Sequence, residues 1–201
     1  MTTNNNQPHW LTIIGIGEEG YDLLTNEAKQ KIDTARLLLG SERQLKLIPE
    51  PDNPSTTREH WPSPMMPRIE QLLREKPEST VIIASGDPLC WGIGRHLTKH
   101  CTKSELKIIP SVSILTRIAA HMHWPTTDIV SLSLCSQPLS AIENFLTPAT
   151  KLVLLSASEN SLRSPFLKIL ALSLKPLQNE PSKNWLKPIL SFLHSTVSRL
   201  N

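Results

Sequence analysis

The stretch TVIIASGDPLCWGIGRHL, residues 80–97, decides how the rest of the chain is read. Val81-Ile82-Ile83-Ala84 is a short, continuous apolar run, the pattern of a strand buried on both faces of a parallel sheet. It breaks at Ser85-Gly86-Asp87-Pro88. Gly86 reaches φ values closed to other residues, Asp87 accepts from nearby N–H groups, and Pro88 fixes the φ that follows. Beyond the break, Gly92 and Gly94 let backbone pass close by, and Ile93 and Leu97 begin an apolar helical face. A strand that ends in a tight loop and runs into a helix places that loop at the carboxyl end of a sheet, where open α/β sheets take small ligands. Alone, Gly-Asp-Pro fits an ordinary βα turn as well as a ligand loop.

Upstream, Trp10–Ile14 has strand character and runs into Gly15-Ile16-Gly17-Glu18-Glu19-Gly20. The spacing is GxGxxG, but no helix starts inside the loop, so it is not a plain dinucleotide fingerprint. The helix begins later, at Asn26–Ala35, with Thr25 as N-cap and Glu27–Lys31 as an i,i+4 pair. Arg36–Leu39 is a second short strand, closed by Gly40-Ser41-Glu42-Arg43. Residues 49–67 are Pro-rich and loop-like. Arg68–Glu75 is amphipathic, with Ile69, Leu72 and Leu73 on one face.

Downstream, Gly94–His100 is helical and Leu106–Ile109 is a strand. Pro110-Ser111-Val112-Ser113 is a turn that caps a helix ending near Met122. Ile129–Ser133 and Leu152–Ser156 are strands, with a helix at Leu139–Leu146 between them. Alternating β and α with short connections specifies an α/β fold, a parallel sheet covered on both faces.

The chain has 201 residues, room for one large or two small domains. Net charge is +3 and aromatic content 4%, which argues against nucleic acid as a partner. No apolar run of about 18 residues exists, so no membrane span is expected. MTTNNNQPH lacks a basic region and an apolar core, so it does not read as a signal peptide. Cys90, Cys101 and Cys135 are odd in number and widely spaced, which suits a reducing cytoplasm and no disulfide framework. His96, His100 and Cys101 lie near one another but lack further ligands at motif spacing, so a solvated helix end is favoured and no metal site is expected. His121-Met122-His123-Trp124 fits a ring-stacking surface or a helix end packed on the sheet. All seven glycines lie in the first 94 residues, so the C-terminal half lacks the usual loop residue.

IIGIGEEGYDLLT at 13–25, ARLLLGSERQL at 35–45, VIIASGDPLCWGIGRHL at 81–97 and IIPSVSILTRIAAHMHWPTTDIVSLS at 108–133 together carry a resemblance. The chain resembles the tetrapyrrole (corrin/porphyrin) methylase family, and within it the N-terminal methylase domain of the precorrin-6Y methyltransferases, over roughly residues 10–158. The resemblance implies two α/β domains with S-adenosylmethionine bent between them. It implies methyl transfer from that cofactor to a ring carbon of a precorrin in cobalamin biosynthesis, and a tendency to form homodimers. Gly86, Asp87, Pro88, Ser111, Ser113 and Ser133 would hold the cofactor. Gly15 and Gly17 would border the tetrapyrrole, and Arg43 would pair with its carboxylates, because a guanidinium reads a carboxylate bidentately. No catalytic base is named.

The domains expected are 10–109, an N-terminal α/β domain with the Gly-Asp-Pro loop; 110–160, the start of a second, incomplete α/β domain; and 161–201, an atypical basic tail. Ser111 stands where the family usually has glycine, and Cys135-Ser136-Gln137 where it usually has His-Gly-Arg. The tail carries six Lys/Arg against one Glu and is cut by Pro165, Pro176, Pro181 and Pro188. It reads as out of frame or decayed. A non-catalytic remnant that binds a tetrapyrrole weakly or not at all is therefore the alternative expectation.

Overall fold

The computed structural model describes residues 9–50, 54–133, 144–145, 150–157 and 167–173. The chain divides into two compact units, Met1–Ile114 and Leu115–Asn201.

The first unit is a parallel sheet of five strands: β1 (Leu11–Ile16), β2 (Leu37–Gly40), β3 (Thr57–His60), β4 (Thr80–Ser85) and β5 (Leu106–Ile109), in the order β3-β2-β4-β1-β5. β1 and β4 pair in register from Leu11 opposite Thr80 to Ile16 opposite Ser85. All six residues of β1 are buried, as a central parallel strand requires.

Side chains alternate between the two faces of the sheet. Ile14, Ile16, Leu38, Val81, Ile83 and Ile109 meet Ala28 and Ile32 of α1 (Asn26–Asp33) and Leu45 of α2 (Glu42–Lys46). Leu11, Ile13, Leu39, Ile82, Ala84 and Leu106 meet Ile69 and Leu72 of α3 (Met66–Glu75) and Leu97 of α4 (Gly94–Leu97). α1 and α2 thus cover one face, α3 and α4 the other. The chain leaves β1 over the first face toward β2, and leaves β4 over the second face toward β5. Neighbouring strands whose connections depart to opposite faces leave a crevice at their carboxyl ends.

Local chemistry accounts for the helix starts. Thr25 Oγ1 accepts from the Ala28 amide at 3.2 Å, as its N-cap position predicts. Ser41 and Gln44 form a reciprocal capping box on α2. Glu27 finds a different partner from the one expected: it pairs chiefly with Lys107 of β5, and Lys31 acts on it only at longer range.

The structure corrects two boundaries. Gly15 and Ile16 belong to β1, not to the loop, because Gly15 pairs with Ala84 and Ile16 with Ser85. The segment 49–67 is not all loop: Thr57–His60 is the edge strand β3, beside β2. Its sequence, TREH, has no apolar signal because an edge strand has little to bury. It is held instead by polar contacts. Arg58 donates to the carbonyls of Leu45 (2.5 Å) and Ile48 (3.2 Å) at the end of α2. Glu59 receives both arms of the Arg68 guanidinium at 2.7 and 2.8 Å.

The second unit takes up most of α5 (Ile114–Met122), and its described strands are β6 (Ile129–Ser133), β7 (Lys151–Ala157) and β8 (Leu167–Ser173), in the order β6-β7-β8. β6 and β7 are parallel, β7 and β8 antiparallel. Leu152–Leu155 are all buried, the signature of a central strand. β8 falls within the stretch expected to be an atypical tail. It pairs along its whole length, from Leu167 opposite Ala157 to Ser173 opposite Lys151. The helix expected at Leu139–Leu146 lies, apart from residues 144–145, outside the described residues, as does Cys135-Ser136-Gln137.

Candidate functional site

The crevice of the first unit is built from three backbone segments. Gly86 has a φ of +59°, the left-handed conformation that favours glycine, and donates to Ile16 O at 2.8 Å. Its own carbonyl accepts from the Ser111 amide at 3.1 Å. A Cβ on Gly15 would stand 1.8 Å from that carbonyl oxygen and 2.7 Å from the Ser111 nitrogen. A Cβ on Gly86 would stand 3.0 Å from Val112 O and 3.5 Å from Ser113 Cα. Gly15, Gly86, Ser111 and Ser113 therefore converge where β1, β4 and β5 end. Ser111, in the place of a family glycine, is not among the residues with positive φ, so its side chain brings no left-handed strain.

The loop after Gly86 is closed on itself. Asp87 Oδ1 accepts from the Leu89 amide at 2.8 Å, and Asp87 O from the Cys90 amide at 3.0 Å. Pro88 is buried, and its carbonyl accepts from Gly94 N at 3.0 Å. A Cβ on Gly92 or Gly94 would approach that oxygen to 2.6 or 2.7 Å. The close approach anticipated for these two glycines is thus to the loop's own proline. Trp91 holds a left-handed φ of 57°.

Arg43 stands at the rim of the same sheet end. Its Nη2 donates to Ser85 Oγ at 3.0 Å, its Nη1 to Glu18 Oε1 at 2.5 Å. Gln44 Nε2 also donates to Ser85 Oγ at 3.0 Å, while its Oε1 accepts from the Ser41 amide. These bonds tie together the segments that follow β1 and β2 and the end of β4. Gly17 begins the turn that carries Glu18, and its carbonyl accepts from Gly20 N at 3.2 Å. Ser133 lies in the second unit, buried at the end of β6.

A cavity of about 400 Å³ opens beside this convergence, lined by Gly15, by residues 23–25 and Ala28, and by residues 109–112. It touches the expected site through Gly15 and Ser111, and Asp87 does not line it. Glu18, Gln44 and Ser85 were missed as site residues. Each is an ordinary polar residue whose partner lies 25 to 42 positions away, or three positions away at a cap. The only local signal was their position beside strand ends. Thr25, the expected N-cap of α1, lines the cavity as well, together with Leu24 before it.

Elsewhere, the rings of His96 and His100 lie 4.7 Å apart, and burial pushes the Cys101 thiol up from its ordinary value. Among the described residues no group of three His, Cys, Asp or Glu side chains could hold a metal ion. Among them, too, no helix is long and apolar enough to cross a membrane.

Comparison with known proteins agrees with this architecture. A precorrin-6Y C(5,15)-methyltransferase [decarboxylating] from Sinorhizobium sp is 30% identical over 149 residues, 74% of this chain and 35% of that protein. A cobalt-precorrin-7 C(5)-methyltransferase from Salmonella typhimurium is 31% identical over 119 residues, 59% of this chain and 58% of that protein. The chain thus spans about a third of the length of the precorrin-6Y relatives it matches. A crystal structure of the cobalamin biosynthesis precorrin-6Y methylase from Archaeoglobus fulgidus shares the fold, with a TM-score of 0.57 at 20% identity over 86% of this chain and 94% of that one. The profile of the family Tetrapyrrole (Corrin/Porphyrin) Methylases matches residues 10–181, beyond the point near Ser158 where the resemblance was expected to fade. With most of its length covered by that match, the chain belongs to the tetrapyrrole methylase family.

Proposed function

We propose that the chain transfers a methyl group from S-adenosylmethionine to a ring carbon of a precorrin in cobalamin biosynthesis. The observation that carries this reading is the convergence of Gly15, Gly86 and Ser111 backbone at the end of β1, β4 and β5, where a sheet of this topology takes ligands. The names of the two sequence relatives share one ring position, C5, and we take C5 as the position methylated.

The residues at this sheet end fit the cofactor. It needs acceptors for its hydroxyl and ammonium groups, and Asp87 offers a carboxylate fixed by its own loop. It needs close backbone, and Gly86, Ser111 and Ser113 present main chain without a bulky side chain in the way. A cavity of about 400 Å³ that reaches this sheet end at Gly15 and Ser111 is of the size that small-molecule sites have, about 300–1,000 Å³. When bound, the cofactor supplies an electrophilic methyl on a sulfonium. Pro88, packed against Gly92 and Gly94, keeps the Asp87 loop in one shape. Gly15, whose missing side chain admits the Gly86 carbonyl, and Gly17 on the turn beyond it border the macrocycle, and Arg43 orients it through a carboxylate. Alignment of this kind is worth up to about 7–11 kcal/mol of barrier, so the chemistry does not depend on a dedicated base.

Calorimetry of the full chain with S-adenosylmethionine tests the reading. Binding that is lost in Asp87→Ala, followed by transfer of labelled methyl to a precorrin, supports it. A folded protein that takes up no heat from the cofactor overturns it.

A further inference from the structure

We propose that Glu18 is an internal stand-in for a substrate carboxylate, holding one arm of the Arg43 guanidinium at the rim of the sheet and releasing it when a carboxylate of the tetrapyrrole arrives. The inference rests on the function proposed above and deepens it, since it assigns to Glu18 a part in selecting the substrate.

The two arms of Arg43 are bound differently. Nη2 donates to Ser85 Oγ, a hydroxyl that Gln44 also reaches, and Gln44 is locked by its capping bond to Ser41. That arm belongs to a network anchored in α2 and β4. Nη1 meets, among the described residues, an acid on the turn after β1, and the pair is open to solvent, with side-chain exposures of 54% for Arg43 and 71% for Glu18. Exposed pairs of this sort are weak and easily exchanged. A guanidinium fork matches a carboxylate in either position, so a ligand carboxylate can take over Nη1 while Nη2 keeps Arg43 aimed. Until then, Glu18 holds the fork extended over the sheet end. An anionic ligand must displace it, which scales the apparent affinity down to the fraction of time that Arg43 is free. Ligands lacking a carboxylate at this position cannot make the exchange.

The test uses the full chain and uroporphyrin, a stable polycarboxylate macrocycle, titrated by fluorescence at fixed ionic strength. Glu18→Gln is expected to tighten binding about two- to fivefold. Arg43→Gln is expected to weaken it, and in that background Glu18→Gln should change nothing. Unchanged or weaker binding in Glu18→Gln overturns the proposal. So does an equal tightening in both backgrounds, which would be a plain effect of net charge. Calorimetry with S-adenosylmethionine runs alongside. If the wild-type chain binds the cofactor but no porphyrin, the carboxylate exchange is overturned and the cofactor reading stands. If it binds neither, the proposed function falls too.

Discussion

The carbonyl oxygen of Gly86 stands where Gly15 would carry its first side-chain carbon, 1.8 Å from that position. Both groups are main chain, pinned by the β1–β4 ladder and by the bond from Ser111, so neither yields as a flexible side chain would. Gly15→Ala should therefore cost about 3 kcal/mol, at the upper end of what overpacking costs. Thermal melting should show a drop of roughly 6–12 °C. A variant that melts like the wild type would mean that the strand ends are looser than described.

Asp87 fixes its loop through the Leu89 amide. Asp87→Ala should leave the melting temperature of the unliganded protein nearly unchanged, since the bond is exposed, and should abolish the stabilisation by S-adenosylmethionine. A ligand present at 100 times its dissociation constant contributes roughly 2.7 kcal/mol, so the wild-type shift is large enough to see.

The clamp of Arg68 on Glu59 holds the edge strand β3 against α3. Arg68 also holds the Glu59 carboxyl below the usual carboxylate range. Arg68→Met should destabilise the chain by about 1–2 kcal/mol, read by urea denaturation at neutral pH. Hydrogen exchange should rise first at Thr57–His60, because β3 has little apolar surface to keep it in place.

Glu105 is held down to about 2 by Lys76, with further help from the amide and hydroxyl of Thr102. A carboxyl depressed on folding stabilises above its unfolded value, about 4.3, and loses that contribution as pH falls through its folded value. Glu105→Gln should therefore melt lower than the wild type at pH 7. The two should draw together between about pH 4 and pH 2. A gap that persists at pH 2 would mean that the effect does not come from the charge of the Glu105 carboxylate.

Ser79 is exposed and carries a φ of +52°, which costs a side-chain-bearing residue about 1–2 kcal/mol. Ser79→Gly relieves that strain and gives back part of it as added chain entropy, about 0.5–1 kcal/mol. A net gain of about 0.5 kcal/mol should raise the melting temperature by roughly 1–2 °C.

Much of this is legible in the amino-acid sequence. Val81–Ala84 and the run into Gly15 marked two central strands because strands buried on both faces need apolar residues without a break. Thr25 marked the start of α1 because few residues cap as well. β3 escaped because its stability comes from Arg58, Glu59 and Arg68, whose partners are set by tertiary contact rather than by pattern. Gly15 was read as loop because glycine in a strand looks like an ending. Only the carbonyl of Gly86 behind it shows why glycine sits there. β8 escaped because its leucines stand in a Ser- and Lys-rich stretch cut by prolines on both sides. The bond between Arg43 of α2 and Glu18 of the turn after β1 joins residues 25 positions apart, and no spacing rule relates them.

The strand order has one more effect, on how the chain is made. β1 lies between β4 and β5, yet it leaves the ribosome first and must wait for both. Roughly ninety residues separate its end from that of β5, so the delay is roughly 5–20 s at about 5–20 residues per second. Until β4 emerges, Leu11–Ile16, buried along its whole length in the finished sheet, has neither of its neighbouring strands to pair with, and it waits for the second until β5 follows. The nascent chain thus carries an apolar strand uncovered while the elements between β1 and its neighbours are made, and chaperone occupancy should concentrate on that segment until residue 109 has emerged.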